Sequence, residues 1–114
     1  MKTKYNEYIS DKLTIEYLEN LINKVYCLLC CFEESVDDYQ KFTDFLLYQD
    51  TLIRKINGHT VLIKYNNVLV IDLLSHLESL KITNNHQDYR RHIFKITNIL
   101  AKLIQEVGGV TNGL

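Results

Sequence analysis

Proline and tryptophan are absent from this chain of 114 residues, and glycine occurs only four times. Proline and glycine are the residues that most strongly interrupt helices, so there are few positions at which a helix has to end. The glycines lie at positions 58, 108, 109 and 113. The sequence therefore predicts long helices whose breaks are confined to a few places.

A long hydrophobic run is also missing. The longest uninterrupted apolar stretch is Val25 to Phe32, whereas a membrane-spanning helix needs about 20 such residues. The first ten residues, MKTKYNEYIS, lack the apolar centre of a secretory signal. Cys27, Cys30 and Cys31 are an odd number of cysteines in one short stretch, which fits a reducing compartment better than a disulfide framework. We expect a cytoplasmic protein that has no membrane partner.

Neither sign of charge dominates the chain. Lysine and arginine number 13, aspartate and glutamate number 14, and the formal net charge is −1. Generic nucleic-acid binders usually carry a clear basic excess, so this balance argues against that class. There is no glycine-rich phosphate loop and no motif of a familiar enzyme class. Two cysteines one helical turn apart supply only half the ligands of a structural zinc site, and we expect no metal and no cofactor.

Signals that begin or end helices recur along the chain, at Ser10, Ser35, Asn57-Gly58, Asn84-Asn85 and Gly108-Gly109. They divide it into four segments of similar length. The predicted helices cover about residues 11–33, 36–56, 60–82 and 86–107. Equal helices with short connections are typical of an antiparallel bundle, so we predict an all-α four-helix bundle in one domain over residues 1–114.

Apolar residues recur every three or four positions in three of these segments, which predicts the faces that form the core. In the first helix they are Leu13, Tyr17, Leu21, Val25, Leu28 and Phe32. In the second they are Tyr39, Phe42, Phe45, Leu46, Leu52, Ile53 and Ile56. In the last they are Tyr89, Ile93, Ile96, Leu100, Leu103, Ile104 and Val107. Gln49 falls inside the apolar sector of the second helix, so a buried Gln49 needs a hydrogen-bonding partner.

The middle of the chain has a second interpretation. Asn57-Gly58 also suits a tight hairpin turn between TLIRKI and HTVLIKY, which would give a mainly α-helical domain with a β-hairpin around residues 51–66. Asn66 lies within the apolar face of a helix over 60–82, where an amide is unfavourable. The pair Asn66-Asn67 is therefore either inside that helix, in a second turn, or at the cap of a shorter helix.

Arg54 and His59 are separated by four residues. When two such groups converge on a phosphate, arginine stabilises the developing charge and histidine transfers a proton. The pair resembles the Arg-x4-6-His motif of HEPN-domain proteins, including HepT-like toxins, and the stretch from Tyr39 and Phe42 to QDTLIRKI is similar to a helix of HepT-like proteins. The resemblance implies a helical homodimer that cleaves RNA with Arg54 and His59 as catalytic residues.

Two further groups of residues are candidates for binding. Cys27, Cys30 and Cys31 are predicted on the polar side of the first helix, although free cysteine is usually buried. This placement indicates a surface for a partner or for self-association. On the last helix a basic stripe with one aromatic residue favours RNA or an acidic protein surface. The stripe consists of Arg90, Arg91, Phe94, Lys95 and Lys102.

The absence of enzyme motifs and the presence of these surfaces predict a small non-enzymatic helical protein that acts by protein–protein interaction. We expect a microbial or mobile-element regulator, inhibitor or immunity protein whose partner is another protein or a second copy in a homodimer. In general form the chain is similar to bacteriocin immunity proteins, which are also small helical bundles. Two alternatives remain open: a HEPN-like ribonuclease or degenerate relative, and a nucleic-acid-binding regulator.

Overall fold

The computed structural model describes residues 9–112, with the backbone alone at 109–112. It contains four helices: α1 (Asp11–Glu34), α2 (Tyr39–Leu62), α3 (Asn67–Ile82) and α4 (His86–Asn112). The predicted all-α bundle is confirmed. The hairpin interpretation is wrong, because α2 continues through residues 51–62 and residues 9–112 contain no β-strand.

The helices form an antiparallel bundle in which α1 packs against α2 and α4, and α3 packs against α4. The contact between α1 and α4 is the most extensive, and the contact between α2 and α3 is the least extensive of the four neighbouring pairs. The bundle measures 49 × 26 × 21 Å, so it is elongated along its helices. Of the four interfaces between neighbouring helices, the one between α2 and α3 is therefore only partly closed.

Each helix begins at a polar residue whose side chain accepts hydrogen bonds from otherwise unpaired backbone N–H groups. Ser10 accepts from the amide of Leu13 at 3.2 Å, as predicted. The predicted opening of the last helix at Asn85 is also confirmed, since its Oδ1 accepts from the amides of Gln87 and Asp88 at 2.8 and 3.2 Å. Local sequence signals therefore predict two of the four helix starts correctly, those of α1 and α4.

The second helix starts three residues later than predicted. Ser35 is the C-cap of α1, where its amide donates to the carbonyl of Cys31 at 3.1 Å. Asp38 is the N-cap of α2 and accepts from the amide of Lys41 at 3.1 Å. Ser35 and Asp38 are both residue types that favour the N-cap position. Asp38 is the N-cap of α2 because α1 extends to Glu34, which leaves Ser35 as the C-cap of α1.

The boundary between the second and third helices also differs from the prediction. Gly58 does not end α2, which continues to Leu62, and Ile63 then takes an extended conformation. Asn66 is the N-cap of α3, its Oδ1 accepting from the amides of Val68 and Leu69 at 2.9 and 3.4 Å. Glycine permits a helix end without requiring one, so the cap at Asn66 sets the boundary. Likewise, α4 continues through Gly108-Gly109 to Asn112.

The position of Gly58 inside a helix gives a stability prediction. A Cβ atom at this position would have no neighbour within 4 Å. Gly58→Ala is therefore expected to raise the free energy of unfolding by about 0.5–1 kcal/mol, because alanine loses less conformational freedom on folding. Urea denaturation measures the change. A clear loss of stability in Gly58→Ala would contradict the continuous α2 helix.

The core runs the length of the bundle and contains aliphatic side chains from all four helices. The apolar stripe predicted for α4 is confirmed, with all but the partly buried Ile104 fully enclosed. At one end of the core the ring of Tyr89 stacks on Phe32 at 4.4 Å, and its hydroxyl donates to Oε1 of the buried Gln49 at 2.7 Å. This hydrogen bond confirms the prediction that a buried Gln49 has a hydrogen-bonding partner. No helix within residues 9–112 is long and apolar enough to cross a membrane.

Candidate functional site

An open groove of about 740 Å³ lies where α2 and α3 separate. One wall is the first half of α2, from Tyr39 to Gln49, and the other is the end of α3 around Ile82. The turn between α1 and α2, residues 35–38, closes one end. We call this feature the α2–α3 groove.

The α2–α3 groove exposes large apolar side chains. Tyr39 is 85% exposed, Phe42 is 42% exposed and Leu46 is 44% exposed. All three were predicted to belong to the core, and that prediction is wrong. On the other walls, Val36 and Ile82 are exposed at 70% and 85%. The cause is the weak packing of α3 against α2. The end of α3 borders the groove but does not cover this part of the apolar face of α2.

The floor of the groove is buried and well packed. Phe45 is 4% exposed, and its ring lies 5.7 Å from that of Phe32 and 5.8 Å from that of Tyr89. Gln49, also in the floor, is held by the Tyr89 hydroxyl. The ring of Phe42 packs on this cluster, 6.3 Å from Phe45. The groove is thus formed on a buried and well-packed base within the chain itself.

The closed end of the groove is acidic. Residues 33–38, EESVDD, contain four carboxylates and no basic residue. Glu33 pairs with His86 at 2.8 Å, and Asp38 is used as the α2 N-cap, while Glu34 and Asp37 have no ion-pair partner in the described part of the chain. Across the groove the charge of Lys81 is balanced by Glu78 at 3.1 Å. The rim therefore carries an excess of negative charge.

Arg54 and His59 point in different directions. Five residues of helix rotate a side chain by about 140°, so the two groups lie on different faces of α2. Arg54 is largely exposed and pairs with Asp50 at 3.1 Å. His59 faces α1, with its ring 4.7 Å from that of Tyr17 and its Nε2 2.6 Å from the hydroxyl of Tyr65.

Within one chain, therefore, Arg54 and His59 do not converge on a common point. The HEPN-like ribonuclease stays a prediction, and it requires a second subunit to complete the site. Cleavage of RNA that is unchanged by His59→Ala would contradict it. No sequence signal distinguishes this spacing from that of a solvated arginine and an interhelical histidine.

Partial burial of His59 predicts a dependence of stability on pH. Burial lowers the pKa of His59 from 6.5 to about 4. The unfolded chain therefore takes up the proton more readily, so stability is full above pH 6.5 and is lost as the pH falls towards 4. We expect a loss of about 1–2 kcal/mol from this residue, allowing for its partial exposure.

Urea denaturation of wild type and His59→Gln at several pH values isolates this contribution. Carboxylates titrate in both proteins, and the difference between the two curves reports His59 alone. The difference is expected to change between pH 6.5 and 4. Parallel curves over that range would show that His59 is as easily protonated in the folded chain as in the unfolded one.

The predicted basic stripe lies on the outer side of α4. Phe94 is 38% exposed, packs edge-to-face on Tyr26 of α1 at 6.1 Å, and has the Arg90 guanidinium 5.2 Å from its ring centre. Arg91 pairs with Asp88. Lys95 and Lys102 are exposed. The stripe exists as a surface, but part of its charge is neutralised within α4, and its binding of RNA stays a prediction.

The three cysteines do not all lie on the polar side of α1. Cys27 and Cys30 are exposed, whereas Cys31 is partly buried and packs against the core, so the predicted placement is wrong for Cys31. Burial, with a further contribution from Glu34, raises the pKa of the Cys31 thiol, so this thiol is less acidic than a free one. No group of three or more histidine, cysteine, aspartate or glutamate side chains in the described part of the chain is arranged to hold a metal ion.

Two features were missed by the sequence analysis. His76 of α3 and His92 of α4 face each other with their Nδ1 atoms 3.0 Å apart, which no spacing within the sequence indicates. The α2–α3 groove is the second feature. The sequence shows the apolar sector of α2 from Tyr39 to Ile56, but it does not show which part of that sector a neighbouring helix covers.

Comparison of the chain with protein-family models, with curated proteins and with solved structures found no match.

Proposed function

We propose that the chain is a non-enzymatic protein-binding module that regulates or inhibits a partner protein, and that the α2–α3 groove is its binding site. One observation carries this proposal. Tyr39, Phe42 and Leu46 are spaced as core residues on α2, yet they remain in contact with solvent. An apolar face with no cover in the monomer is the ordinary signature of a protein-binding surface.

The gain available from covering this face is large. Fully burying a large apolar side chain contributes about 1.5–3 kcal/mol, and five such side chains border the groove: Val36, Tyr39, Phe42, Leu46 and Ile82. Part of that gain offsets the loss of freedom on association. Aromatic side chains at the centre of a preformed surface are the usual anchors of binding energy. Phe42 meets this description, since its ring rests on the buried Phe45.

A pull-down from the source cell tests the proposal with a matched pair of variants. Phe42→Asp changes the groove, and Phe94→Asp changes a phenylalanine of similar exposure on the basic stripe. Circular dichroism checks that both variants remain helical. We expect a stoichiometric protein partner that is retained by Phe94→Asp, lost from Phe42→Asp and resistant to nuclease. Capture that is unchanged in Phe42→Asp would overturn the proposal. A partner that is lost with nuclease and from Phe94→Asp would overturn it in favour of the basic stripe.

A further inference from the structure

The acidic end of the α2–α3 groove indicates the charge of the partner. Glu33 and Glu34 lie in the last turn of α1, which contains no basic residue. Carboxylates at a helix C-terminus are unfavourable because the helix dipole is negative there. Asp37 and Asp38 then line the groove itself. Among the described residues, His86 is the one basic side chain that contacts this cluster, through a hydrogen bond to Glu33 at 2.8 Å.

We infer that the groove binds an amphipathic α-helix of a partner protein, with lysine or arginine beside its apolar face at the end that meets residues 33–38. This inference rests on the proposed function and names the chemistry of the partner. The apolar face of the partner covers Tyr39, Phe42 and Leu46. Its basic side chains meet Glu34 and Asp37, which are exposed and lack ion-pair partners in the part of the chain that the structure describes.

The shape of the groove favours a helix over an extended segment. Along α2 the groove is lined by Tyr39, Phe42 and Leu46, and by Gln49 in its floor, at intervals of three or four residues. This is the ridge spacing that another helix packs against. An extended peptide usually adds to the edge of a sheet, and residues 9–112 offer no such edge. A partner helix would fill the position between α2 and α3 that the bundle leaves open.

The charge of the groove argues against a second copy of this chain as the occupant. The groove of a second copy has no unpaired basic side chain to offer to this acidic end. Lys81, the basic residue that lines the groove, is already balanced by Glu78. A basic helix from a different protein satisfies both the apolar wall and the acidic end.

Three labelled peptides of about 18 residues, long enough for five helical turns, test the inference by fluorescence anisotropy. The first is an amphipathic leucine–lysine helix. The second replaces its lysines with glutamates, and the third keeps the lysines but has two central prolines. We expect the first to bind about 10-fold more tightly than either control, and less tightly at about 300 mM salt than at 50 mM.

Two variants separate groove binding from general attraction to an acidic surface. Phe42→Asp adds negative charge but removes the apolar anchor, and it is expected to weaken binding of the leucine–lysine peptide about 10-fold. Asp37→Lys keeps the apolar wall and is expected to weaken binding by reversing the charge at the rim. Affinity that rises in Phe42→Asp, or that is equal for the glutamate or proline peptide, would overturn the inference.

The two proposals fail in different ways. If no peptide binds while capture of a cellular partner still depends on Phe42, the basic-helix inference is wrong and the binding function stands. If capture of the cellular partner does not depend on Phe42 either, both the basic-helix inference and the binding function of the groove are wrong. Self-association of the purified chain that is abolished by Phe42→Asp would identify a second copy as the occupant and overturn the inference.

Discussion

Phe45→Ala is expected to lower the free energy of unfolding by about 3–5 kcal/mol, whereas Phe42→Ala is expected to lower it by about 1 kcal/mol or less. The two residues are one turn apart on α2, and the sequence pattern places both in the core. In the structure Phe45 is 4% exposed and Phe42 is 42% exposed. Removing Phe45 leaves a cavity between the rings of Phe32 and Tyr89, while removing Phe42 enlarges an existing groove.

Urea denaturation of the two variants under one set of conditions measures this difference. Tyr39→Ala is the companion of Phe42→Ala, since Tyr39 is 85% exposed and is expected to change stability by less than about 0.5 kcal/mol. Losses of similar size in Phe42→Ala and Phe45→Ala would mean that α3 covers this part of α2 in solution. The groove would then be closed.

Tyr89→Ala is expected to be as damaging as Phe45→Ala, at about 3–5 kcal/mol. Tyr89 is fully buried, and its ring stacks on Phe32 with only 6° between the ring planes. Its hydroxyl supplies the hydrogen bond to Oε1 of Gln49. Tyr89→Phe keeps the ring and removes this bond, so it isolates the cost of an unpaired buried amide, about 1–3 kcal/mol.

A double-mutant cycle with Gln49→Leu tests whether that cost arises from the unpaired amide. In the Gln49→Leu background the polar partner is already gone, so Tyr89→Phe is expected to cost much less than it does in wild type. Additive losses in the two backgrounds would show that the Gln49–Tyr89 bond does not form. The floor of the groove would then lack the hydrogen bond that links α2 to α4 in the structure.

The helical class and the α4 stripe were predictable because they follow from local patterns. On α4 the apolar residues from Tyr89 to Val107 occupy one narrow face, and that face meets both α1 and α3. The same rule failed for Tyr39, Phe42 and Leu46 on α2. Periodicity shows which side chains avoid water, but it does not show whether the chain itself provides the surface that covers them.

The helix boundaries differed from prediction where two local signals competed. Gly58 was expected to end α2 and Ser35 to begin it, but neither residue requires that role. Asn66 and Asp38 have side-chain oxygens placed to accept from backbone amides, and the actual boundaries lie at these caps. Which of two candidate caps is used depends on how far the preceding helix extends, and packing decides that length.

The candidate functional sites could likewise be predicted only in part from the sequence. The spacing of Arg54 and His59 suggested a joint role, and the structure shows one in solvent and the other against Tyr17 and Tyr65. The α2–α3 groove needed the tertiary structure, because it is defined by what is missing beside α2. The acidic segment of residues 33–38 was visible in the sequence, but its relation to the groove was not.

Site-specific photo-crosslinking in the source cell tests the central claim most directly. A benzoylphenylalanine replaces either Phe42 in the α2–α3 groove or Phe94 on the basic stripe, two residues of nearly equal exposure, 42% and 38%. We expect a protein adduct from position 42 alone, attached through a helix with basic residues beside its apolar face. Adducts from position 94 alone, or equally from both positions, would contradict the claim that the groove is the binding site.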